Sequence, residues 1–109
     1  MTQITLDRCR GMGWKADVVE RRVARRVTKD AFGIGDILAV DCEGRAYLIQ
    51  VTDNTHHATR ARKIRERCTE NAAAWCKGSN VIEVWSYKRK KGSRTVWDPE
   101  PRVERVEVT

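Results

Sequence analysis

Two short apolar runs separated by a glycine-containing loop constrain this chain more than any other feature of its sequence. The first run, Asp36–Val40 (Asp-Ile-Leu-Ala-Val), is almost continuously apolar, which is typical of a strand buried on both faces. Residues 41–45 include Glu43-Gly44 and predict a hairpin loop, after which Tyr47–Thr52 (Tyr-Leu-Ile-Gln-Val-Thr) predicts the return strand. We therefore expect a sheet built around an antiparallel pair of buried strands.

Further helices and strands are predicted on either side of this pair. Apolar residues at three- and four-residue spacing predict a short helix over Thr5–Met12 and a longer one over His57–Lys77. The apolar run Val81–Tyr87 predicts another buried strand. Valine alternates with charge in Arg102–Val108, a pattern that is typical of an edge strand.

The basic, β-branched segment from Ala16 to Val27 fits either a strand or an amphipathic helix. The glycines of the preceding segment, Gly11–Trp14, indicate a helix-to-strand turn, which favours a strand that begins near Lys15. The whole pattern predicts one α/β domain over residues 1–109, with a mixed α+β sheet of four to five strands that is flanked by helices.

The charge of the chain favours a polyanionic partner. Its 109 residues carry 22 Lys and Arg against 15 Asp and Glu, a formal net charge of +7. Such an excess makes a polyanion, such as a nucleic acid, the first partner to suspect. No apolar run approaches the roughly 20 residues of a membrane-spanning helix, and residues 1–10 lack the apolar stretch of a secretory signal. We therefore expect a cytoplasmic protein without a membrane partner.

The four cysteines leave several interpretations open. Cys9, Cys42, Cys68 and Cys76 contain no Cys-x-x-Cys pair, the spacing that structural zinc sites usually show. Buried free thiols that pack as small apolar side chains are the favoured interpretation. Two disulfides or a metal or redox site remain alternatives.

The predicted hairpin brings three oxygen-bearing side chains to one corner of the sheet. Antiparallel pairing sets Asp36, at the start of the first strand, beside the end of the second strand. Gln50 and Thr52 are two residues apart on that second strand and therefore face the same side. Carboxylate and amide oxygens are ligands that Mg²⁺ accepts, and a metal near a phosphodiester can activate water. The corner is thus a candidate metal-dependent site.

The sequence of this corner resembles the PD-(D/E)XK nuclease superfamily. The resemblance rests on Gly35-Asp36-Ile37-Leu38-Ala39, a hairpin, Leu48-Ile49-Gln50-Val51-Thr52 and a basic helix, and it covers roughly residues 5–87. The superfamily includes archaeal-type Holliday-junction resolvases and VRR-NUC proteins, and the likeness is greatest to small proteins carried by phages and mobile elements. The resemblance implies a restriction-endonuclease-like core and a divalent-metal-dependent DNA endonuclease that uses Mg²⁺ or Mn²⁺. Structure-specific cleavage and a homodimer are further implications.

Two motif positions depart from the family pattern. The resemblance aligns Asp36 with the metal-binding aspartate, Gln50 with the motif glutamate and Thr52 with the motif lysine. The amide oxygen of glutamine can still face a metal, but threonine supplies no positive charge. The implied metal ligands are Asp36, Gln50 and a further acid, Glu20. Lys63 is the first candidate to assist catalysis in place of the lysine, and the other candidates are Arg60, Arg62 and Lys29.

Basic residues around the corner are the candidate phosphate contacts. They are Lys29, Arg60, Arg62, Lys88, Arg89, Lys90 and Lys91. We expect His56 and His57, at the start of the long helix, to be solvated or to contact phosphate. We expect the four tryptophans to be packing anchors. Alternatives to a nuclease are a catalytically inactive DNA-binding protein of the same fold and a phage accessory protein that does not bind nucleic acid.

Overall fold

The fold is a mixed α+β arrangement in which a five-stranded sheet is flanked by three helices. A computed structural model of the chain describes residues 1–19, 21–24 and 27–107. The elements in chain order are α1 (Thr2–Gly11), β1 (Lys15–Val18), β2 (Arg21–Ala24), β3 (Val27–Lys29), β4 (Ile37–Val40), β5 (Ala46–Asp53), a 3-10 turn (Asn54–His56), α2 (His57–Arg67), α3 (Thr69–Trp75), β6 (Val81–Tyr87) and β7 (Arg102–Arg105).

Strand β5 is at the centre of the sheet, whose strand order is β1-β4-β5-β6-β7. It pairs antiparallel with β4 on one side and parallel with β6 on the other. Antiparallel pairing also joins β1 to β4 and β7 to β6. One end of the sheet therefore contains the last residues of β5 and β6 and the first residues of β4; we call it the site end.

The two faces of the sheet are covered by separate apolar layers. The layer on the α1 face includes Leu6 and Cys9 of the helix with Ile37 and Ile49 of the sheet. The layer on the other face joins helix residues to sheet residues; it includes Ala61, Ile64 and Ala72 of α2 and α3 and Leu48, Ile82 and Val84 of the sheet. Alternate residues of β5 therefore point into different layers, and the strand is buried without interruption over Tyr47–Thr52.

The predicted central strands are confirmed to within one residue. Strand β6 has the predicted bounds Val81–Tyr87, and the hairpin loop lies between β4 and β5 as expected. Strand β7 begins at the predicted Arg102 but ends at Arg105. Helix α1 spans Thr2–Gly11 and so begins three residues before the predicted start.

The prediction of one long helix over residues 57–77 is wrong. The helix is interrupted at Cys68, which has φ −113° and ψ 23° and separates α2 from α3. The thiol of Cys68 donates to the carbonyl of Gly33 at 3.4 Å, and the Thr69 hydroxyl donates to the carbonyl of Arg65 at 2.6 Å. The Thr69 hydroxyl binds a backbone carbonyl of α2, and the Cys68 thiol ties the break to the segment before β4; the periodicity of the sequence predicts neither bond.

The described residues of the segment from Ala16 to Val27 belong to β1 and to the paired strands β2 and β3. The predicted start near Lys15 is confirmed, but β1 ends at Val18, and β2 and β3 form a separate two-stranded sheet. Because Val18 pairs with Ile37 at the start of β4, the β2–β3 hairpin follows β1 at the site end.

The cysteines are free thiols, but their burial differs. Cys9 is fully buried, and burial raises the pKa of its thiol to about 11. Cys42 is exposed, which contradicts the expectation that all four pack inside. As expected, the tryptophans serve packing: Trp85 is buried and Trp14 stacks on Tyr47 with ring centroids 4.5 Å apart.

Among the helices that the structure describes, none is both long and apolar enough to cross a membrane.

Gly35 brings the chain into β4 at a very short distance from β5. A Cβ atom at this position would lie 2.7 Å from Leu48 Cγ and 3.1 Å from the backbone nitrogen and oxygen of Ile49. Glycine is therefore required here for close packing. This close approach fixes the path of the residue before Asp36.

We predict that Gly35→Ala destabilises the protein by about 1–3 kcal/mol, because the added methyl group must displace strand backbone. Gly11→Ala is the matched control, since a Cβ at Gly11 meets nothing within 4 Å. It should be neutral or slightly stabilising. Urea unfolding of both variants measures the difference, and equal midpoints would contradict the close packing described for Gly35.

Candidate functional site

Asp36, Gln50 and Thr52 lie together at the site end, and we call these three residues the corner. Leu48 packs in the α2 layer, so Gln50 and Thr52, two and four residues later on β5, face the same layer. Asp36 directly precedes Ile37, which pairs with Ile49, so it comes next to Gln50 in the register. All three side chains are buried, with exposed fractions between 5% and 9%.

Asp36 and Gln50 both bond to the backbone of Val51. The Val51 N–H donates to Asp36 Oδ1 at 3.2 Å, and Gln50 Nε2 donates to the Val51 carbonyl at 3.3 Å. The first residue of β4, Ile37, pairs with Ile49, so Val51 lies beyond the paired part of β5. The two side chains supply hydrogen-bond partners for its backbone there. The corner residues therefore stabilise the sheet, and they also bring several oxygen atoms together.

The remaining amide atom of Gln50 is an oxygen. Because Nε2 is bound to Val51, the Gln50 Oε1 atom is the part of this amide that can face a cation. Thr52 adds a hydroxyl on the same face and is paired in register with Ser86 of β6. Carboxylate, amide and hydroxyl oxygens are a donor set that suits a hard cation such as Mg²⁺.

The corner is a minimal donor set for a metal. Within residues 1–19, 21–24 and 27–107, no group of three or more His, Cys, Asp or Glu side chains could hold a metal ion. Glu20, the further acid that the sequence suggested, lies outside the described residues. Mg²⁺ often binds to one or two carboxylates and completes its shell with water and substrate phosphates, so Asp36 with Gln50 fits such a shared site.

Helix α2 supplies the first Lys and Arg residues that follow the corner in sequence. His57, Ala61 and Ile64 form its buried face, and the half-buried Arg60 lies at the margin of that face by helical spacing. Lys63 instead lines an outward groove together with Thr59, Arg62, Glu66 and Arg67. Arg60 is therefore better placed than Lys63 to approach the corner along the helix.

The start of α2 is tied to the end of β5 by Asp53. Asp53 Oδ1 accepts from the backbone N–H of His56 at 3.0 Å and contacts His56 Nδ1 at 2.8 Å. Burial raises the pKa of Asp53, but the hydrogen bonds from the His56 side chain and backbone outweigh it and lower the pKa. His56 is exposed, as expected.

His57 is buried, which contradicts the expectation that it is solvated or contacts phosphate. Its side chain is 1% exposed, with Nδ1 2.6 Å from Ser86 Oγ and Nε2 2.9 Å from Glu104 Oε1. The Ser86 hydroxyl donates to Asn54 Oδ1 at 2.8 Å. Arg65 donates to Glu104 Oε2 at 2.6 Å. This His57 network joins α2, β6 and β7 at the site end.

Sequence reasoning missed the His57 network because its members come from four separate elements. Glu104 lies 47 residues after His57 and Ser86 lies 29 residues after it. The available signal was the helical spacing of His57 with Ala61 and Ile64, which puts the histidine on the buried face. A buried imidazole needs partners, and a polar residue in the apolar run of β6 was the candidate.

A second strongly basic segment leaves β6 at the site end. Residues 88–98, predicted as a basic turn, form an arm in which Lys90 N–H donates to the Val96 carbonyl at 2.7 Å and Asp98 N–H to the Lys88 carbonyl at 2.8 Å. We call this segment the basic hairpin. The Arg89 guanidinium lies 3.7 Å from the ring centroid of Trp97. Its exposed cations are Lys88, Arg89, Lys90, Lys91 and Arg94.

Most cations of α2 and of the basic hairpin have no acidic partner in the part of the chain that the structure describes. There, no ion pair within 4.0 Å includes a cation of residues 88–94, nor Arg60, Arg62 or Lys63. Lys29, the last residue of β3, pairs in register with Arg21 of β2. The predicted phosphate contacts therefore come from three elements, of which α2 and the basic hairpin both begin at the site end.

We predict that Glu104→Gln destabilises the protein at neutral pH by about 1.5–3 kcal/mol, because its charged hydrogen bonds are removed. Bonds from Arg65 and then His57 hold the pKa of Glu104 below its usual 4.5. A lowered carboxyl pKa stabilises the fold above the unfolded pKa, and this contribution disappears as the pH falls through the folded pKa. Thermal melts from pH 7 to pH 3 should therefore show the variant converging on the wild type below about pH 4.5.

Glu43→Gln, in the exposed β4–β5 loop, is the matched control and should leave the melting temperature unchanged. A Glu104→Gln deficit that stays constant down to pH 3 would contradict the ionic role assigned to Glu104.

Comparisons of the chain with protein-family models, with curated proteins and with solved structures found no match.

Proposed function

We propose that this protein binds DNA along the site end and that the corner is a variant PD-(D/E)XK centre for metal-dependent phosphodiester cleavage. The observation that carries the proposal is that the corner and the start of the basic hairpin lie at the same end of the sheet. Asp36, Gln50 and Thr52 face one layer at the same end of the sheet from which the basic hairpin leaves. Cations neutralise a bound phosphate backbone, and metal-dependent hydrolysis needs oxygen ligands that hold the metal beside it.

The order of the elements supports the fold assignment that the resemblance implies. Apart from the β2–β3 hairpin, the order is one helix, three antiparallel strands, a helical crossover and a strand parallel to the third. That order agrees with the restriction-endonuclease-like core expected from the motif residues. It also gives Asp36 and Gln50 neighbouring positions on adjacent strands, as the motif requires.

The charges support a phosphate-binding role for the site end. The helical dipole makes the start of α2 electropositive, and Arg60 follows three residues after His57. The basic hairpin contributes five cations without acidic partners among the described residues. Most protein–DNA contacts go to phosphates and position the duplex without reading its sequence.

Each corner residue has a separate task in the proposed reaction. Asp36 and Gln50 Oε1 would hold the metal, which when bound supplies Lewis-acid polarisation and lowers the pKa of a water molecule. Arg60 would neutralise charge on the phosphate, since Thr52 has no cation to offer. The Thr52 hydroxyl would position a water or a phosphate oxygen by hydrogen bonding.

A catalytically inactive DNA-binding protein is the second candidate, and Thr52 favours it. Threonine occupies the position of the motif lysine and cannot replace its charge. The bond from Val51 N–H also gives Asp36 a structural task that would persist without catalysis.

We predict that the wild type cleaves plasmid, linear or four-way-junction DNA with Mg²⁺ or Mn²⁺, and that a chelator abolishes cleavage. Asp36→Asn should lower the rate by about 100-fold or more, the usual effect of removing one electrostatic interaction with the reacting group. Asparagine keeps an oxygen acceptor for the Val51 N–H, so the variant should remain folded. Gel analysis of product formation measures the rate.

Asp7→Asn is the control for the change in charge, because Asp7 is exposed on α1, across the sheet from the corner. Cleavage by Asp36→Asn at the wild-type rate would refute the assignment of the corner. A wild type that binds every DNA in a salt-dependent manner but cleaves none would establish the second candidate instead.

We predict that replacing Lys90, Lys91 and Arg94 with glutamine weakens DNA binding and flattens its salt dependence. The slope of log affinity against log salt should become shallower by about 0.9 for each phosphate that is no longer neutralised. Fluorescence anisotropy of a labelled duplex at several salt concentrations measures the slope.

The matched control neutralises three exposed cations at the opposite end of the sheet: Lys15, Arg45 and Lys77. Its slope should equal that of the wild type. Equal weakening in both triple variants would show that net charge, and not the basic hairpin, governs binding.

A further inference from the structure

Phe32 combines a disfavoured backbone conformation with an exposed aromatic ring. Its φ is +57°, and among the described residues it is the one non-glycine residue with positive φ. A bulky side chain rarely adopts this conformation, and such outliers concentrate at functional sites. The side chain is 59% exposed, the highest value among the large hydrophobic side chains that the structure describes as exposed.

The turn that contains Phe32 normally selects glycine or asparagine. Ile34 N–H donates to the Ala31 carbonyl at 2.9 Å, and both central residues, Phe32 and Gly33, have positive φ. Type I′ turns have this pair of positive φ values, and Asn-Gly is their preferred sequence. Phenylalanine at the first position therefore conflicts with the local backbone preference.

Bonds from outside the turn hold it in place. Asn71 Nδ2 donates to the Phe32 carbonyl at 3.0 Å, and the Cys68 thiol donates to the Gly33 carbonyl at 3.4 Å. The Trp75 ring is tilted by 43° to the Phe32 ring, with centroids 6.3 Å apart. Contacts from α3 and from Cys68, the residue before α3, thus hold the turn in place. The Phe32 side chain remains largely exposed.

The position of Phe32 relates it in sequence to the corner and, through Cys68, to the end of α2. It precedes Asp36 by four residues, and Ile34 and the closely packed Gly35 make the connection short and buried. Arg67, exposed and without an acidic partner among the described residues, adjoins Cys68 at the other side of the turn. The exposed flat face of the Phe32 ring is the type of surface on which unstacked nucleobases bind.

We infer that Phe32 stacks on an unpaired nucleobase of the bound DNA, so that the protein prefers DNA with a bulged base to a continuous duplex. This inference rests on the proposed DNA binding and adds a specificity residue to it. In a continuous duplex the bases are stacked on one another, whereas an unpaired base offers its face to an aromatic side chain. The ring acts by stacking and takes no part in the chemical step.

The test compares affinity for a duplex that has one unpaired base with affinity for the fully paired duplex. Base–aromatic stacking corresponds to roughly 5- to 150-fold in affinity, so Phe32→Leu and Phe32→Gly should reduce the preference of the wild type by a factor in that range. Phe32→Tyr keeps the aromatic face and should keep the preference. Anisotropy titrations in the presence of a chelator measure binding without cleavage.

Phe32→Gly also separates stacking from folding. Glycine adopts positive φ without strain, so this variant should melt at or above the wild-type temperature while it loses the preference. Met12→Ala, which truncates another exposed apolar side chain, is the control and should bind as the wild type does.

Retention of the preference by Phe32→Leu and Phe32→Gly, or a wild type without any preference, would overturn the inference and leave the proposed DNA binding intact. A wild type that binds neither DNA would overturn the proposed function together with the inference.

Discussion

Burial of β5 on both faces is the constraint on which the rest of this structure depends. A strand covered by α1 on one side and by α2 and α3 on the other cannot leave polar groups unpaired without a large cost. Gln50 and Thr52 are nevertheless within this strand. Gln50 bonds to the adjacent Val51 carbonyl, and Asp36 completes the ladder by accepting from the Val51 N–H. The hydrogen bonds to Val51 therefore do two things: they satisfy backbone groups near the end of β5, and they hold Asp36 and Gln50 in position.

The site end shows how one sheet can position both an oxygen cluster and a cationic surface. Parallel pairing of β5 with β6 brings the start of α2 and the start of the basic hairpin to the same place. The His57 network then fixes α2 against β6 and β7 through contacts of 2.6–2.9 Å. Of the cations on α2, this network uses Arg65 and leaves Arg60, Arg62 and Lys63 outside it. Among residues 1–19, 21–24 and 27–107, none of those three cations has an acidic partner within 4.0 Å.

Strands were predictable here because their signal is local, whereas the exceptions arise from contacts between distant residues. The runs at β4, β5 and β6 are apolar, are bounded by turn residues, and were placed to within one residue. At the break, the Cys68 thiol bonds to the Gly33 carbonyl, 35 residues away, and no periodicity in the helix predicts that contact. His57 illustrates the same difficulty in the site, since its burial depends on Ser86 and Glu104. The pairing of Asp36 with Gln50 was predictable because a short hairpin loop determines the register.

The concentration of positive charge in the basic hairpin has a consequence for the protein on its own. Like charges on adjacent residues such as Lys90 and Lys91 repel one another, and this repulsion raises the free energy of the folded chain at low ionic strength. Dissolved salt screens that repulsion over a distance of about 10 Å at 0.1 M. The same ions compete with a polyanion for the surface. Moderate salt thus acts in opposite directions on two equilibria, because it favours the folded chain and weakens the binding of a polyanion. The salt concentration at which the folded protein is most stable is therefore one at which the basic hairpin binds least polyanion.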